Sequence, residues 1–133
     1  MRAFHLEIVT LDGSEYNGEA ESLLVHTDDG DVEILAGHAD LLASISSGRV
    51  RVRVDGKDIF AAASGGFLTV NRGTVQLVCV TFEFAENIDV ERAMRAKEKA
   101  EEAIAGAKDD KALALAKAKL ERALSRIGVA NLL

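Results

Sequence analysis

Two short stretches carry the residue types that could hold an anion. In "NIDVERAMRAK", Asn87 to Lys97, Asp89 reads as a helix N-cap. Such a cap favours Glu or Gln three residues on, and negative charge in the first turn. Arg92 stands there instead. Further on, "ERALSR" places Arg122 and Arg126 four apart, on one face of a second helix. If the two helices run antiparallel, the end of the second returns beside the start of the first. Arg92, Arg122 and Arg126 then converge next to the unpaired backbone N–H groups of a helix N-terminus. Arginines at such a terminus suit phosphate, each charge-assisted hydrogen bond contributing about 1.5–3 kcal/mol. Glu83 and Asp89 could accept from an amino group or a ribose, so a nucleotide is one candidate ligand. Lys99 follows Arg92 by seven residues on the same helix face. The competing reading is a solvated face, with these arginines paired to Asp89, Glu91 and Glu121.

Other chemistry is thinly represented. His5, His26 and His38 are scattered, with no acidic or cysteine partner at ligand spacing, so no metal site is expected. "DDGDVE", Asp28 to Glu33, lacks the alternating ligands of a calcium loop and reads as a tight acidic turn. "SGGF", Ser64 to Phe67, lacks the Lys-Ser/Thr and following helix of a phosphate loop. No Ser-His-Asp or Cys-His set is visible. Catalysis by this chain alone is therefore not expected, and a small hydrolase ranks last among the readings.

Composition narrows the field. With 133 residues, 48% of them hydrophobic, the chain can build one core and a small appendage. A formal net charge of -6 argues against nucleic acid or anionic lipid as the main partner. The single cysteine, Cys79, lies in the apolar run "VQLVCVTF" and reads as a buried small hydrophobe. No disulfide framework points to secretion, "MRAFHLEIVTLDG" lacks the apolar stretch of a signal peptide, and no run is long enough to span a membrane. If the protein works at a membrane, a partner holds it there.

The elements that would position the arginines divide at Glu86. Before it come short strands and turns: "AFHLEIVTL" ending at Asp12-Gly13, "SLLVHT" ending at "DDGD", and "RVRVRV" with its Asp55-Gly56 turn and return strand "KDIFAAA". "GGFLTV" and "VQLVCVTFEF", joined by "NRGT", give a further hairpin. Many short strands with frequent turns predict an antiparallel β-sandwich over 1–86. After it the period becomes helical. Ala93, Ala96, Ala100, Ala103 and Ala107 recur on one helix, and Leu113, Ala116, Leu120, Ala123 and Ile127 on the next, which Asp109 or Asp110 can cap. The expected class is α+β, a sandwich followed by an antiparallel helical hairpin over 87–133. An alanine-lined seam buries little area, so the hairpin should open at low cost.

"IDVERA", "ERALSR", "ILAGHADLL" (Ile34–Leu42) and "GGFLTV" (Gly65–Val70) carry a resemblance, over the whole chain, to the epsilon-subunit family of bacterial F-type ATP synthases. The resemblance implies a non-catalytic rotor subunit of the central stalk, peripheral on the cytoplasmic face of the membrane. Its sandwich would be held by the gamma subunit and the c ring. Its hairpin would switch between a folded state and an extended state that reaches the catalytic head and inhibits ATP hydrolysis. In several members the folded state binds ATP through Ile/Leu-Asp-x-x-Arg-Ala, matched here by Ile88, Asp89, Arg92 and Ala93. Arg122 and Arg126 match the second-helix arginines, Glu83 precedes the motif, and Lys99 stands where a basic residue would face the same pocket. ATP is then a regulatory ligand, not a cofactor. His38 either caps a turn or meets gamma or the c ring. Family prolines are replaced by Leu11, Ala36 and Asp40, which would leave those loops looser. A free-standing nucleotide-sensing module is the alternative from another class.

Overall fold

The computed structural model describes residues 2–133. Seven strands come first: β1 (Phe4–Thr10), β2 (Gly13–Ala20), β3 (Ser22–Thr27), β4 (Gly30–Leu35), β5 (Leu41–Val54), β6 (Lys57–Asn71) and β7 (Thr74–Phe84). A single 3-10 turn, Ala85–Asn87, leads into α1 (Val90–Ala105) and α2 (Asp110–Ala130). The strands form one continuous sheet in the order β2-β1-β7-β6-β5-β3-β4. It folds over on itself, so that β2 packs against β5. Leu6, Ile8, Leu23, Ile34, Leu68 and Leu77, from five different strands, fill the space between the layers without solvent exposure. That enclosed core is the expected sandwich. One pair departs from the antiparallel pattern: β1 runs parallel to β7, with Leu6 opposite Val75 and Ile8 opposite Leu77.

The turn chemistry explains the longest hairpins. Asp55 and Gly56 both have positive φ (51° and 75°), the two-residue turn whose twist matches the flanking strands. Arg72 and Gly73 repeat the device (50° and 83°), and Asp40 accepts the Arg72 amide at 2.9 Å. Asp40 thereby ties its loop to the neighbouring hairpin. "RVRVRV" and "GGFLTV" prove to be parts of longer strands. β5 and β6 continue through the Ser46–Ser47 and Ser64–Gly66 regions, where strand pairing skips and the sheet bends. Cys79 lies within the core, and burial pushes its thiol up to about 12.

Both helices are capped as their sequences suggest. Asp89 accepts from the Arg92 amide at 3.1 Å, and Asp109, not Asp110, accepts from that of Ala112 at 2.7 Å. The seam between the helices is narrower than the alanine stripe implies. Ala93 and Ala100 are buried on α1 and Ala116 and Ala123 on α2, whereas Ala96 and Ala103 are exposed. Four buried methyl groups at about 0.8 kcal/mol each amount to roughly 3 kcal/mol before entropy is counted. A second small contact docks the hairpin. Val129 on α2 packs with Ala62, Ala85 and Ile88, and α2 lies along β5 and β6. No helix among the described residues is long and apolar enough to cross a membrane.

Candidate functional site

Three elements meet where β7 ends, α1 begins and α2 approaches its end. The cleft between them, about 190 Å³, is lined by Glu83, Asp89, Arg92, Ala93, Ala96 and Arg126. Each element arrives for a local reason. The cap at Asp89 starts α1 and places Arg92 one turn in, while Ile88, buried against Val129, fixes the entry to the helix. Gly106 closes α1 and Asp109 starts α2, so α2 returns antiparallel and brings Arg126 back over β7.

The charges are unevenly committed. Arg126 Nε lies 3.6 Å from Glu83 Oε1. Asp89 spends a carboxylate oxygen on the helix cap. Arg92 takes part in no ion pair among the described residues. The cap uses one of the N–H groups expected to be free for a ligand, so an incoming anion meets chiefly side chains here. The arrangement offers one uncommitted guanidinium, a second that an anion can take from Glu83, and two carboxylates able to accept from N–H or O–H groups. Ala93, buried at the floor, keeps the cleft open because it has no side chain beyond Cβ.

Five of the eight residues proposed from sequence therefore line one cleft: Glu83, Asp89, Arg92, Ala93 and Arg126. Ile88 supports it from behind. Lys99 is exposed and Arg122 lines a neighbouring cleft with Ser64 and Thr81, so neither joins the lining. Arg122 stays adjacent, because a small cavity beside Ser125 touches both it and Arg126. Ala96 was missed, although its place one turn after Arg92 was a usable signal. His38 is half-buried, and its Nδ1 lies 2.7 Å from the Ala39 carbonyl, which can only accept, so Nδ1 is the donor in that local contact. The other histidines do acquire acidic neighbours, which linear spacing hid. Strand pairing sets His26 Nδ1 2.8 Å from Asp31 and His5 Nδ1 3.7 Å from Glu19. Among the described residues no group of three potential ligands could hold a metal. A roomier cleft, about 530 Å³, lies elsewhere, between α2 and β3–β5; its walls include Leu24, Leu124, Val129 and Leu132, and it lacks a comparable cluster of arginines.

Comparison with known proteins is consistent along the chain. Residues 3–85 match the β-sandwich domain of the ATP synthase delta/epsilon chain, and residues 86–131 match its long α-helix domain. The ATP synthase epsilon chain of Bacillus velezensis is 39% identical over 131 residues, covering 98% of this chain and 99% of that one. That of Caldanaerobacter subterraneus is 37% identical, covering 98% and 95%. A chain in the Euglena gracilis mitochondrial ATP synthase shares the fold with a TM-score of 0.83 at 24% identity, covering 97% of this chain and 81% of its own.

Proposed function

The chain belongs to the ATP synthase delta/epsilon family, as an epsilon-type stalk subunit and not a catalyst, and we propose that its helical hairpin is a nucleotide-gated brake. One observation carries this reading. The arginine cleft is built from three separable pieces: Glu83 of the sandwich, Arg92 of α1 and Arg126 of α2. A ligand that needs all three binds only the docked hairpin and therefore stabilises it.

Magnitudes favour control over simple holding. Ligand at ten times its Kd adds about 1.4 kcal/mol to the binding state, against a seam worth roughly 3 kcal/mol. That is about a tenfold change in population. The ligand is ATP, with phosphate oxygens on Arg92 and Arg126 and the base or ribose on Asp89 and Glu83. A cleft of about 190 Å³ is smaller than the roughly 300–1,000 Å³ of most ligand sites. Part of the nucleotide then lies outside it, toward Arg122. High ATP holds the hairpin docked. Low ATP frees the helices to reach the catalytic head and oppose hydrolysis.

The sandwich serves as the anchor. Leu42, Phe67 and Val80 are 73%, 42% and 63% exposed on one outer face of the bent sheet, an apolar patch suited to gamma and the c ring. The loop of His38 leads directly into it. On this reading the chain rides on the rotor, at the cytoplasmic face of the membrane. Chains truncated after Glu86 should still copurify with gamma, and the assembled enzyme should hydrolyse ATP several-fold faster when ATP is low. Unchanged hydrolysis would remove the brake from this account.

A further inference from the structure

The cleft of about 530 Å³ between α2 and β3–β5 shares no residue with the arginine cleft. Its size falls within the roughly 300–1,000 Å³ of most small-molecule sites. We propose that it binds a free alkyl carboxylate, with the carboxylate at Arg49 of β5 and the chain between α2 and the sandwich.

The walls supply the apolar half of the site. Leu24 comes from β3, and Leu124, Val129 and Leu132 from α2. Leu124 and Leu132 are left 46% and 41% exposed, so an alkyl chain has apolar surface to cover. Two glycines shape the space. A Cβ at Gly128, in the last turn of α2, would meet nothing within 4 Å. One at Gly48 would come within 2.7 Å of the His26 Cβ, so glycine there gives the His26 side chain its place in the wall. The polar lining selects the head. Arg49 takes part in no ion pair among the described residues, and the Ser125 hydroxyl is buried without a hydrogen-bond partner. Asp31 is committed to His26 at 2.8 Å, and Glu121 is exposed, where solvent and salt screen its charge. Uncommitted N–H and O–H donors therefore outnumber acceptors, which favours an acceptor head over an ammonium. The two oxygens of a carboxylate match the paired N–H groups of a guanidinium. None of Glu83, Asp89, Arg92 and Arg126 takes part, so binding does not depend on the nucleotide reading. Because the walls come from both domains, the bound acid favours the docked hairpin with or without nucleotide.

The test is a titration of the full-length, isotope-labelled chain with octanoate, kept monomeric and at constant ionic strength, followed by NMR of amide and methyl groups. Saturable shifts at Leu24, Arg49, Leu124 and Val129, with a midpoint in the millimolar range or below, are expected. Arg49→Gln should weaken the midpoint several-fold. Gly128→Leu fills the cleft while favouring the helix, so it should fold and weaken binding about tenfold or more. Arg92→Gln should leave the midpoint unchanged. Octanol and octylammonium, which carry the same chain on a neutral or cationic head, should bind several-fold more weakly than octanoate. Octylammonium binding more tightly than octanoate would overturn the proposal, and so would octanol binding equally well. Shifts that never saturate, that persist unchanged in Gly128→Leu, or that centre on Leu42, Phe67 and Val80 would also overturn it.

Discussion

The Glu83 carboxylate, at the end of β7, lies 3.6 Å from Nε of Arg126 on α2. Among the described residues no other ion pair joins the sandwich to the hairpin. The same two side chains line the arginine cleft, so the contact that helps hold the domains together also occupies part of the anion site. An arriving phosphate must compete with Glu83 for Arg126. Glu83→Gln releases the guanidinium yet keeps an oxygen that can accept from an amino group. Inorganic triphosphate should bind this variant several-fold more tightly than the parent chain. Both partners are roughly a third exposed, so the hairpin should lose no more than about 1 kcal/mol of docking stability. Calorimetry with triphosphate, beside thermal unfolding, reads both effects.

Asp89 has two jobs that substitution can separate. It caps α1 through the Arg92 amide and it lines the cleft. Asp89→Asn retains a capping oxygen but removes the charge, whereas Asp89→Ala removes both. The alanine variant should lose about 1 kcal/mol and fray the first turn of α1, visible as reduced helical circular dichroism. The asparagine variant should keep its helix. A difference between the asparagine variant and the parent chain in nucleotide binding then reports the ligand role alone.

The bend of the sheet depends on Gly66. A Cβ there would lie 1.8 Å from the Val78 carbonyl oxygen, on a backbone with φ of +107°. Gly73 also has positive φ, +83°, but a Cβ there meets nothing within 4 Å. Gly66→Ala should cost more than about 3 kcal/mol or prevent folding, and Gly73→Ala about 1 kcal/mol. Chemical denaturation of the two variants compares strain alone with strain plus collision.

How far these features could be read from sequence depends on what carried the signal. Caps and helical period announced the hairpin, and turns such as Asp55-Gly56 announced the strand pairs. β2, "GSEYNGEA", escaped because it is mostly polar and only Ala20 is fully buried. β4, "GDVEIL", was hidden in what read as an acidic turn. The arginine cleft was legible because its motif starts at a cap. Its extent was not, because a helix rises about 1.5 Å per residue. Arg122 thus stands about 6 Å along the axis from Arg126, and Lys99 about 10 Å from Arg92. The second separation exceeds the reach of a cleft this narrow, and Arg122 faces the neighbouring cleft with Ser64 and Thr81 instead.

The outer face of the sandwich gives the chain an acid sensitivity. A hydrogen bond from Arg51 holds the Glu33 carboxyl below its usual range, and one from Arg53 does the same for Asp58. A carboxyl whose folded pKa is depressed contributes stability above its unfolded value, near 4, and loses it as pH falls through the folded value. Unfolding measured between about pH 6 and pH 3 should show stability falling toward the acid end. Asp58→Asn should flatten that fall by lowering stability near neutral pH while leaving the acid end unchanged, a small effect because both carboxylates are solvent-accessible.

The most direct test of the gated hairpin is calorimetric titration of ATP into the isolated full-length chain, with Arg92→Ala and Arg126→Ala alongside. The account predicts binding near one to one, weakened about tenfold or more by either substitution. Absence of binding at millimolar ATP, or binding that neither substitution alters, would contradict it. The arginines would then be a solvated helix face, and any braking by the hairpin would answer to something other than ATP.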